Sequence, residues 1–411
     1  MKARLQSLPY GWRLLLATVA LGIGTGLVGM ACHYLLEGVQ GLAFGQDKGD
    51  LFQQFNHAGG FRRFLVLGVT GILAAVFWYI LQRRYNILSI RRQIDLVGER
   101  DPAPLAHILH ASMQVAIVGA GASVGKEGAP REVGALLAGR LGKAFSLAIK
   151  ERRVLIACGA GAGLAAVYQV PFASSLFVFE TLGLSYRWKN FALVLSSTYL
   201  ATWVAQPIVG HGAIYHMSPV HCSASSLFQA VIVAILVTPL AMAFRFLANR
   251  SSLKRRKDWT ILWALPVAFM VLAAIVAFYP IFMGNGQVLA QALLSGQPFS
   301  NLVLALALKG FLVYLLLRNG AYGGTLTPSF ALGIGSGYLV TMIVSAVGIH
   351  LDPVLGMLLG ATVFLGTTLQ APLTGIALSL GFTGQSWALI LPLALAAGVS
   401  YMIQNRWENK R

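Results

Sequence analysis

Long apolar runs separated by short polar segments dominate this chain. A membrane-spanning α-helix needs about 20 mainly apolar residues. Runs of that kind lie at 12–35, 62–81, 104–122, 189–209, 226–247, 260–283, 302–317, 329–349 and 386–404. Further apolar stretches at 153–167, 171–184, 353–366 and 372–382 are short or interrupted by glycine. The pattern predicts an all-α membrane protein with many passes and several discontinuous helices.

Composition and charge agree with a membrane protein and argue against nucleic-acid binding. Of the 411 residues, 57% are hydrophobic and 11% are charged, and the mean hydropathy is +0.71. The net charge is +18, but lysine and arginine cluster at the ends of the apolar runs, as in Arg83-Arg84, Arg91-Arg92 and Lys254–Lys257. Such clusters mark the cytoplasmic side and contact anionic lipid. Attraction of anions towards a cytoplasmic mouth is the alternative.

Cysteines and histidines give no sign of a metal or cofactor. Cys32, Cys158 and Cys222 lie far apart, and the eight histidines show no shared spacing. We therefore expect no disulfide framework, no metal site and no cofactor. The first apolar run is too long for a cleaved signal peptide. The last run ends close to the C-terminus, so we expect no cytoplasmic regulatory domain.

Two pairs of matching segments indicate an internal repeat. The glycine-rich segment that ends at Pro130 is echoed by the one that ends at Pro328, 198 residues later. Gln169–Phe172 is echoed by Gln370–Leu373, and the two prolines of this pair lie 201 residues apart. We predict two transmembrane repeats, at 1–220 and 221–411, although chance similarity in glycine- and alanine-rich sequence is the alternative. In transporters, interrupted segments at matching places of two repeats point to the binding site.

The glycine- and proline-interrupted segments are suited to binding an anion. A helix that begins inside the membrane presents unpaired N–H groups and the positive end of its dipole, which makes an anion site without buried cations. Gly125–Pro130 and Gly323–Pro328 fit this description, as does Gly284–Gln287. Glu127 is one of only 13 acidic residues in the chain. An ionisable group at bilayer depth is costly, so its default role is in an ion or proton pathway.

These segments resemble the signatures of the CLC family of anion channels and proton-coupled antiporters. Gly125-Lys126-Glu127-Gly128-Ala129-Pro130 is similar to the family's GREGP, and Gly324-Thr325-Leu326-Thr327-Pro328 is similar to GxFxP. Ala165–Ala173 resembles AAAFNAPLAG, and Tyr401 follows the second signature at about the family's spacing. The four similarities occur in the family's order across most of the chain.

The resemblance implies a CLC-type fold with two inverted repeats and a homodimer with one pore in each subunit. It also implies that Glu127 is the gate, which occupies an anion site when ionised and leaves it when protonated. By the same resemblance, Gly125, Lys126, Gly128, Leu326, Thr327 and Tyr401 line the anion route. We expect a multi-pass protein of the bacterial inner membrane that is not an enzyme, because no nucleophile, second carboxylate or metal set accompanies Glu127.

Departures from the signatures favour one branch of the family. The serine-containing GSGIP signature is missing, and the corresponding region reads Tyr85–Ile90, so any role of Asn86 or Ser89 is open. Thr327 precedes the proline of the second signature, and Thr181 takes the place of the internal proton-relay glutamate, with Glu180 one position earlier. These features resemble the bacterial fluoride/proton antiporters. We predict export of fluoride in exchange for protons, with a chloride/proton antiporter or chloride channel as the alternative.

Several individual residues have two interpretations. Glu180 assists proton transfer or is a hydrogen-bonded structural residue, and Glu132 is a hydrogen-bonding residue near the same helix start or has a direct function. Thr327 is an anion ligand or only a helix N-cap. Tyr401 is a donor in the pore or an interfacial anchor. Phe330 is expected to pack and not to bind.

Overall fold

A computed structural model describes residues 7–45, 51–297 and 299–409, and this part of the chain is almost entirely α-helical. The helices are α1 (Tyr10–Phe44), α2 (Leu51–His57), α3 (Gly60–Arg84), α4 (Ile90–Asp95), α5 (Pro104–Gly119), α6 (Gly128–Ala144), α7 (Ile149–Tyr168), α8 (Pro171–Glu180), α9 (Trp188–Val209), α10 (Ala224–Leu253), α11 (Ile261–Phe278), α12 (Gln287–Leu294), α13 (Leu302–Arg318), α14 (Leu326–Ala346), α15 (Pro353–Leu369), α16 (Pro372–Thr383) and α17 (Ile390–Glu408). Within the described ranges, extended pairing is limited to one antiparallel bridge, between Gly125 and Gly324.

Helix lengths confirm the prediction of a polytopic α-helical membrane protein. Among the described residues, seven helical segments are long and apolar enough to cross a bilayer, and they correspond to α1, α3, α9, α10, α11, α14 and α17. α5, α15 and α16 are apolar but shorter. α1 continues beyond the predicted 12–35 because nothing interrupts it before Gly45, whose φ of +91° favours glycine and ends the helix.

One predicted span is broken in the structure. The apolar run 260–283 contains α11 only as far as Phe278 and then a short 3-10 turn, Pro280–Phe282. Four residues separate that turn from α12, and two of them, Gly284 and Gly286, have φ of +65° and +105°. Hydropathy alone did not reveal this break, since the residues of the turn are as apolar as those of the helix.

Two helix-to-helix junctions are built in the same way and support the sequence repeat. Gln169 caps the end of α7 in the left-handed conformation with φ of +55°, and Gln370 caps the end of α15 with φ of +54°. In both cases one residue separates the glutamine from a proline at the first position of the next helix, Pro171 of α8 and Pro372 of α16. Positive φ is uncommon outside glycine, so the matching glutamines share a specific backbone feature. The repeat boundary near residue 220 stays a prediction.

Contacts group the chain into two compact units. The first contains residues 1–38, 78–116 and 126–212, and the second contains 39–77, 117–125 and 213–411, as far as these are described. In the first unit, α6 and α7 approach so closely that a Cβ at Gly134 would lie 2.2 Å from the carbonyl oxygen of Gly159. Small residues permit such close helix packing in membranes.

In the second unit, α14 and α15 pack in the same manner. A Cβ at Gly337 would lie 2.0 Å from the carbonyl oxygen of Gly356, and one at Gly360 would lie 2.3 Å from that of Gly333. The glycine-rich segment 333–337 therefore serves close helix packing.

We predict that Gly337→Ala destabilises the protein by about 1–3 kcal/mol, because the methyl group forces α14 away from α15. Gly398→Ala is the matched control on α17, since a Cβ there would meet nothing within 4 Å. There alanine gains about 1 kcal/mol of helix propensity. Thermal unfolding of the purified protein in detergent should show a lower midpoint for the first variant only. Equal midpoints would contradict the packing account.

Candidate functional site

Glu127 lies at the start of α6, but its side chain does not cap that helix. It occupies the N-cap position with φ of −67° and ψ of −18°, and it makes no side-chain cap hydrogen bond. The residue is only 1% exposed. The Tyr168 hydroxyl, at the end of α7, donates to Oε2 of Glu127 over 3.2 Å. A buried carboxylate is thus held by a phenol from the neighbouring helix, which sequence analysis did not foresee.

Two cations and a glycine lie close to Glu127 in the chain, within the first unit. Nζ of Lys126 lies 5.9 Å from the centre of the Tyr168 ring, and the guanidinium of Arg131 lies 4.4 Å from the centre of the Phe177 ring. Aromatic faces attract cations at these distances. Gln114 lies close to Gly128, since a Cβ there would be 2.5 Å from its Oε1. Positive charge and the N-terminus of α6 both favour an anion here.

In the second unit, the segments that contain Gly125 and Gly324 are paired. The N–H of Gly125 donates to the carbonyl oxygen of Gly324 over 2.7 Å, and the N–H of Gly324 donates back over 2.8 Å. A Cβ at Gly323 would lie 2.6 Å from the side chain of Val124, so only glycine fits. Gly125 stands three positions before the first residue of α6, and Gly324 stands two before that of α14. The bridge therefore fixes the backbone ahead of both helices.

Leu326 and Thr327 are the first two residues of α14, and each is 2% exposed. The cap position belongs to Thr325, whose side chain makes no cap hydrogen bond. The interpretation of Thr327 as a helix N-cap is therefore wrong. Its buried hydroxyl lies in the first turn, where helix N–H groups favour an anion.

Lys309 is a buried cation that sequence analysis missed. This residue of α13 is 0% exposed, and its ammonium donates to Oγ of Ser123 over 2.7 Å and to the carbonyl oxygens of Gly284 and Phe282 over 2.8 and 3.2 Å. Three acceptors match the three donors of an ammonium. Lys309 thereby ties the broken segment before α12 to Ser123. A lone lysine in the apolar run 302–317 was the available signal.

Comparisons with known proteins identify the family. The family described as voltage gated chloride channel matches residues 96–405. The chain belongs to the CLC family. It is 26% identical over 407 residues to the voltage-gated ClC-type chloride channel ClcB of Escherichia coli strain SMS-3-5 / SECEC, with 95% of both chains covered. The corresponding protein of Shigella flexneri is also 26% identical, over 408 residues, with 95% of both chains covered.

Solved structures share the fold. A slow cyanobacterial Cl⁻/H⁺ antiporter superposes with a TM-score of 0.81 at 20% identity, covering 95% of this chain and 94% of the other. A CLC-type fluoride/proton antiporter gives a TM-score of 0.76 at 20% identity with the same coverage. The all-α CLC-type fold with inverted repeats and discontinuous helices is therefore confirmed, and the chain is a CLC-type anion transporter or channel.

Tyr401 lines a pocket whose other residues do not include Thr327. It is 52% exposed on α17 and lines a shallow pocket with Thr362, Ser400 and Gln404, to which neither Leu326 nor Thr327 contributes. Its predicted role as an anion ligand in this CLC protein stays a prediction, and the position gives it no support. An exposed aromatic residue on a spanning helix is compatible with the interfacial alternative.

A different tyrosine is buried near the start of α14. Tyr215 is 1% exposed and its ring centre lies 4.6 Å from that of Phe330 and 6.2 Å from that of Phe382. Phe330 therefore packs, as expected. Tyr215 escaped sequence analysis because it lies in the irregular segment between α9 and α10, outside any periodic pattern.

The remaining predicted positions lie at helix ends, on the surface or in a buried cluster. Ser89 caps α4, where its Oγ accepts from the N–H of Arg92 over 3.4 Å, and Asn86 is exposed. Glu180 is the last residue of α8, and Thr181 follows it as the C-cap. Glu132 is 7% exposed and accepts hydrogen bonds from side chains of α5, which confirms the hydrogen-bonding interpretation and leaves a direct function open.

We predict that Tyr168→Phe increases anion flux at neutral pH. A hydrogen bond to a charged group contributes about 1.5–3 kcal/mol, and about 1.4 kcal/mol corresponds to tenfold in an equilibrium. If Glu127 is the gate, loss of the hydroxyl frees its carboxylate to leave the site about tenfold more often. Anion efflux from liposomes measures the change. Tyr199→Phe, on the exposed face of α9, is the control and should leave the flux unchanged. Unchanged or lower flux in Tyr168→Phe would contradict this role.

Proposed function

We propose that this CLC protein is a proton-coupled anion antiporter gated by Glu127. The observation that carries the proposal is the buried Glu127 carboxylate at the start of α6, held by the Tyr168 hydroxyl. A carboxylate is itself an anion that helix N-termini attract. Competition between this carboxylate and the transported anion for one place couples proton movement to anion movement, because protonation removes the competitor's charge.

Fluoride is the anion that we propose from the residues themselves. Fluoride is small and strongly hydrated, so its site must replace water with directed hydrogen-bond donors. Thr327 supplies a buried hydroxyl in the first turn of α14, where backbone N–H groups add further donors. In the first-signature region, Ser89 Oγ accepts from the N–H of Arg92 at the start of α4 and Asn86 is exposed, and the role of either residue in anion binding is left open. We propose that Thr327 lines the anion route together with Gly125, Lys126, Gly128 and Leu326.

Chloride is the second candidate, and two observations favour it. The curated relatives at 26% identity are named chloride channels. The solved Cl⁻/H⁺ antiporter has a higher TM-score, 0.81, than the fluoride/proton antiporter, 0.76. In either case we place the protein in the bacterial inner membrane as a homodimer. Mass determination in detergent or nanodiscs tests the dimer, and a monomeric mass would rule it out.

Ion fluxes from liposomes test the proposal. The purified protein is reconstituted in vesicles loaded with fluoride or chloride, and ion-selective electrodes and a pH probe follow efflux and proton uptake. We expect fluoride efflux accompanied by proton uptake, with little chloride efflux. Chloride efflux equal to or above that of fluoride would assign the protein to chloride. Anion efflux without proton movement would make it a channel.

Thr327 variants provide the matched comparison for selectivity. Thr327→Val removes the hydroxyl at nearly constant shape, and we expect fluoride efflux to fall by about tenfold, the effect of losing one hydrogen bond to an ion. Thr327→Ser keeps the hydroxyl and should retain most of the flux. Equal fluxes in the two variants would remove Thr327 from the fluoride site.

A further inference from the structure

A cluster of buried polar side chains lies between α5 and α6, and the gating mechanism does not use it. His107, His110 and Gln114 of α5 surround Glu132 of α6, and their exposures are 0%, 3%, 4% and 7%. His107 Nδ1 lies 2.6 Å from Glu132 Oε1, and His110 Nδ1 lies 2.9 Å from Oε2. Gln114 Nε2 donates to Oε2 over 2.9 Å. Ionisable groups at this depth are costly and mark proton or ion pathways.

The hydrogen bonds assign the protons in this cluster. The backbone N–H of Leu88 donates to Nε2 of His107 over 3.4 Å, so the ring proton of a neutral His107 is on Nδ1 and points at Glu132. His110 Nδ1 lies 2.9 Å from Oε2 of Glu132 and 3.0 Å from Nε2 of Gln114, and Gln114 Nε2 also donates to Oε2. One carboxylate with two neutral imidazoles carries a single negative charge. Uptake of one proton neutralises the cluster, which removes the cost of burying a net charge.

One end of the cluster reaches the residue next to the gate. Gln114 hydrogen-bonds Glu132 through Nε2, and its Oε1 lies so close to Gly128 that a Cβ there would be 2.5 Å away. Gly128 directly follows Glu127 in the chain. The carboxylates of Glu127 and Glu132 thus belong to neighbouring turns of the same helix start, with Gln114 beside the backbone between them.

The other end of the cluster leads to a charged cavity. Gln93 of α4 is 3% exposed, and its Nε2 donates to the carbonyl oxygen of Leu88, the residue whose N–H contacts His107. Gln93 lines a cavity together with five charged residues of α6, α7 and the loop before α5. These are Arg100, Asp101, Arg140, Lys143 and Arg152. Polar groups therefore follow one another from Gly128 to a surface cavity, all within the first unit.

We propose that the His107–His110–Glu132 cluster is a proton-carrying site that connects Glu127 with this cavity. The inference rests on the proposed proton-coupled function. The cluster relays protons in place of the family's internal glutamate, whose position is occupied by Thr181 in this chain. Of the neighbouring charged groups, Lys126 and Arg131 face Tyr168 and Phe177, and the five named above line the cavity. Trp78 of α3 packs at 6.3 Å from the His110 ring and brings no charge.

Metal binding and a purely structural tie are the competing roles for the cluster. Within the described ranges, no group of three or more histidine, cysteine, aspartate or glutamate residues has the geometry to hold a metal ion. A structural tie between α5 and α6 predicts that removal of the cluster affects folding, or lowers anion and proton flux together. A proton-carrying site predicts a change in the ratio of the two fluxes.

Glu132→Gln separates these roles, because it keeps the size of the side chain and one acceptor oxygen but cannot ionise. In reconstituted vesicles, we expect the proton-to-anion flux ratio to fall by about tenfold or more, within the range that proton-transfer groups contribute, while anion flux persists. His110→Asn, which retains a donor near the position of Nδ1, should lower the ratio in the same direction. Glu151→Gln, in a surface pair with Lys189, is the control and should leave the ratio unchanged.

The outcomes distinguish this inference from the proposed function. A wild-type ratio in Glu132→Gln and His110→Asn would overturn the proton-carrying role while the antiporter proposal stands. Parallel loss of both fluxes, or loss of the folded protein in size-exclusion chromatography for both variants, would assign the cluster to structure. Anion flux without protons in the wild-type protein would defeat the antiporter proposal first, and the relay with it.

Discussion

A bilayer offers backbone amides no hydrogen-bond partners, and this constraint governs where the chain can interrupt its helices. Irregular backbone at membrane depth is tolerated only where other protein groups satisfy its hydrogen bonds or where it lines a water-filled cavity. The pair of hydrogen bonds between Gly125 and Gly324 meets that requirement for the segments ahead of α6 and α14. Lys309 meets it for the segment ahead of α12, since its ammonium binds the carbonyl oxygens of Phe282 and Gly284. Helix starts inside the protein, which the function requires, depend on these contacts.

Buried ionisable side chains also need hydrogen-bond partners, and Lys309, Glu132 and Glu127 differ in the partners they have. The ammonium of Lys309 has three acceptors and is fixed, so it acts as a permanent part of the scaffold. The Glu132 carboxylate has three donors, two of which are imidazoles that can themselves accept a proton. Glu127 has the Tyr168 hydroxyl at a longer distance of 3.2 Å, and its side chain does not cap its own helix. In the proposed mechanism, Glu127 is the group that leaves its position and Glu132 is the group that holds a proton in place.

Local sequence patterns predicted the fold class and the central site residue, but they did not predict contacts between residues distant in the chain. Apolar runs, glycine and proline breaks and the isolated Glu127 gave the fold class and the central residue. Tyr168 was visible only as one letter of a signature, because its contact with Glu127 spans 41 residues. The statement that the histidines share no spacing was wrong in one respect: His107, His110 and Gln114 stand three and four residues apart and share one face of α5. Tyr401 matched the family in spacing, but its helix places it at an exposed position.

The measurement that most directly tests the central claim is proton and anion flux in liposomes containing Glu127→Gln, with the wild-type protein alongside. Glutamine keeps the size of the side chain and a partner for the Tyr168 hydroxyl, but it carries no charge that can compete with an anion or accept a proton. The account predicts that anion flux continues while proton movement coupled to it is lost. Proton-coupled anion flux at the wild-type level would contradict the claim that Glu127 gates the pore and carries the proton.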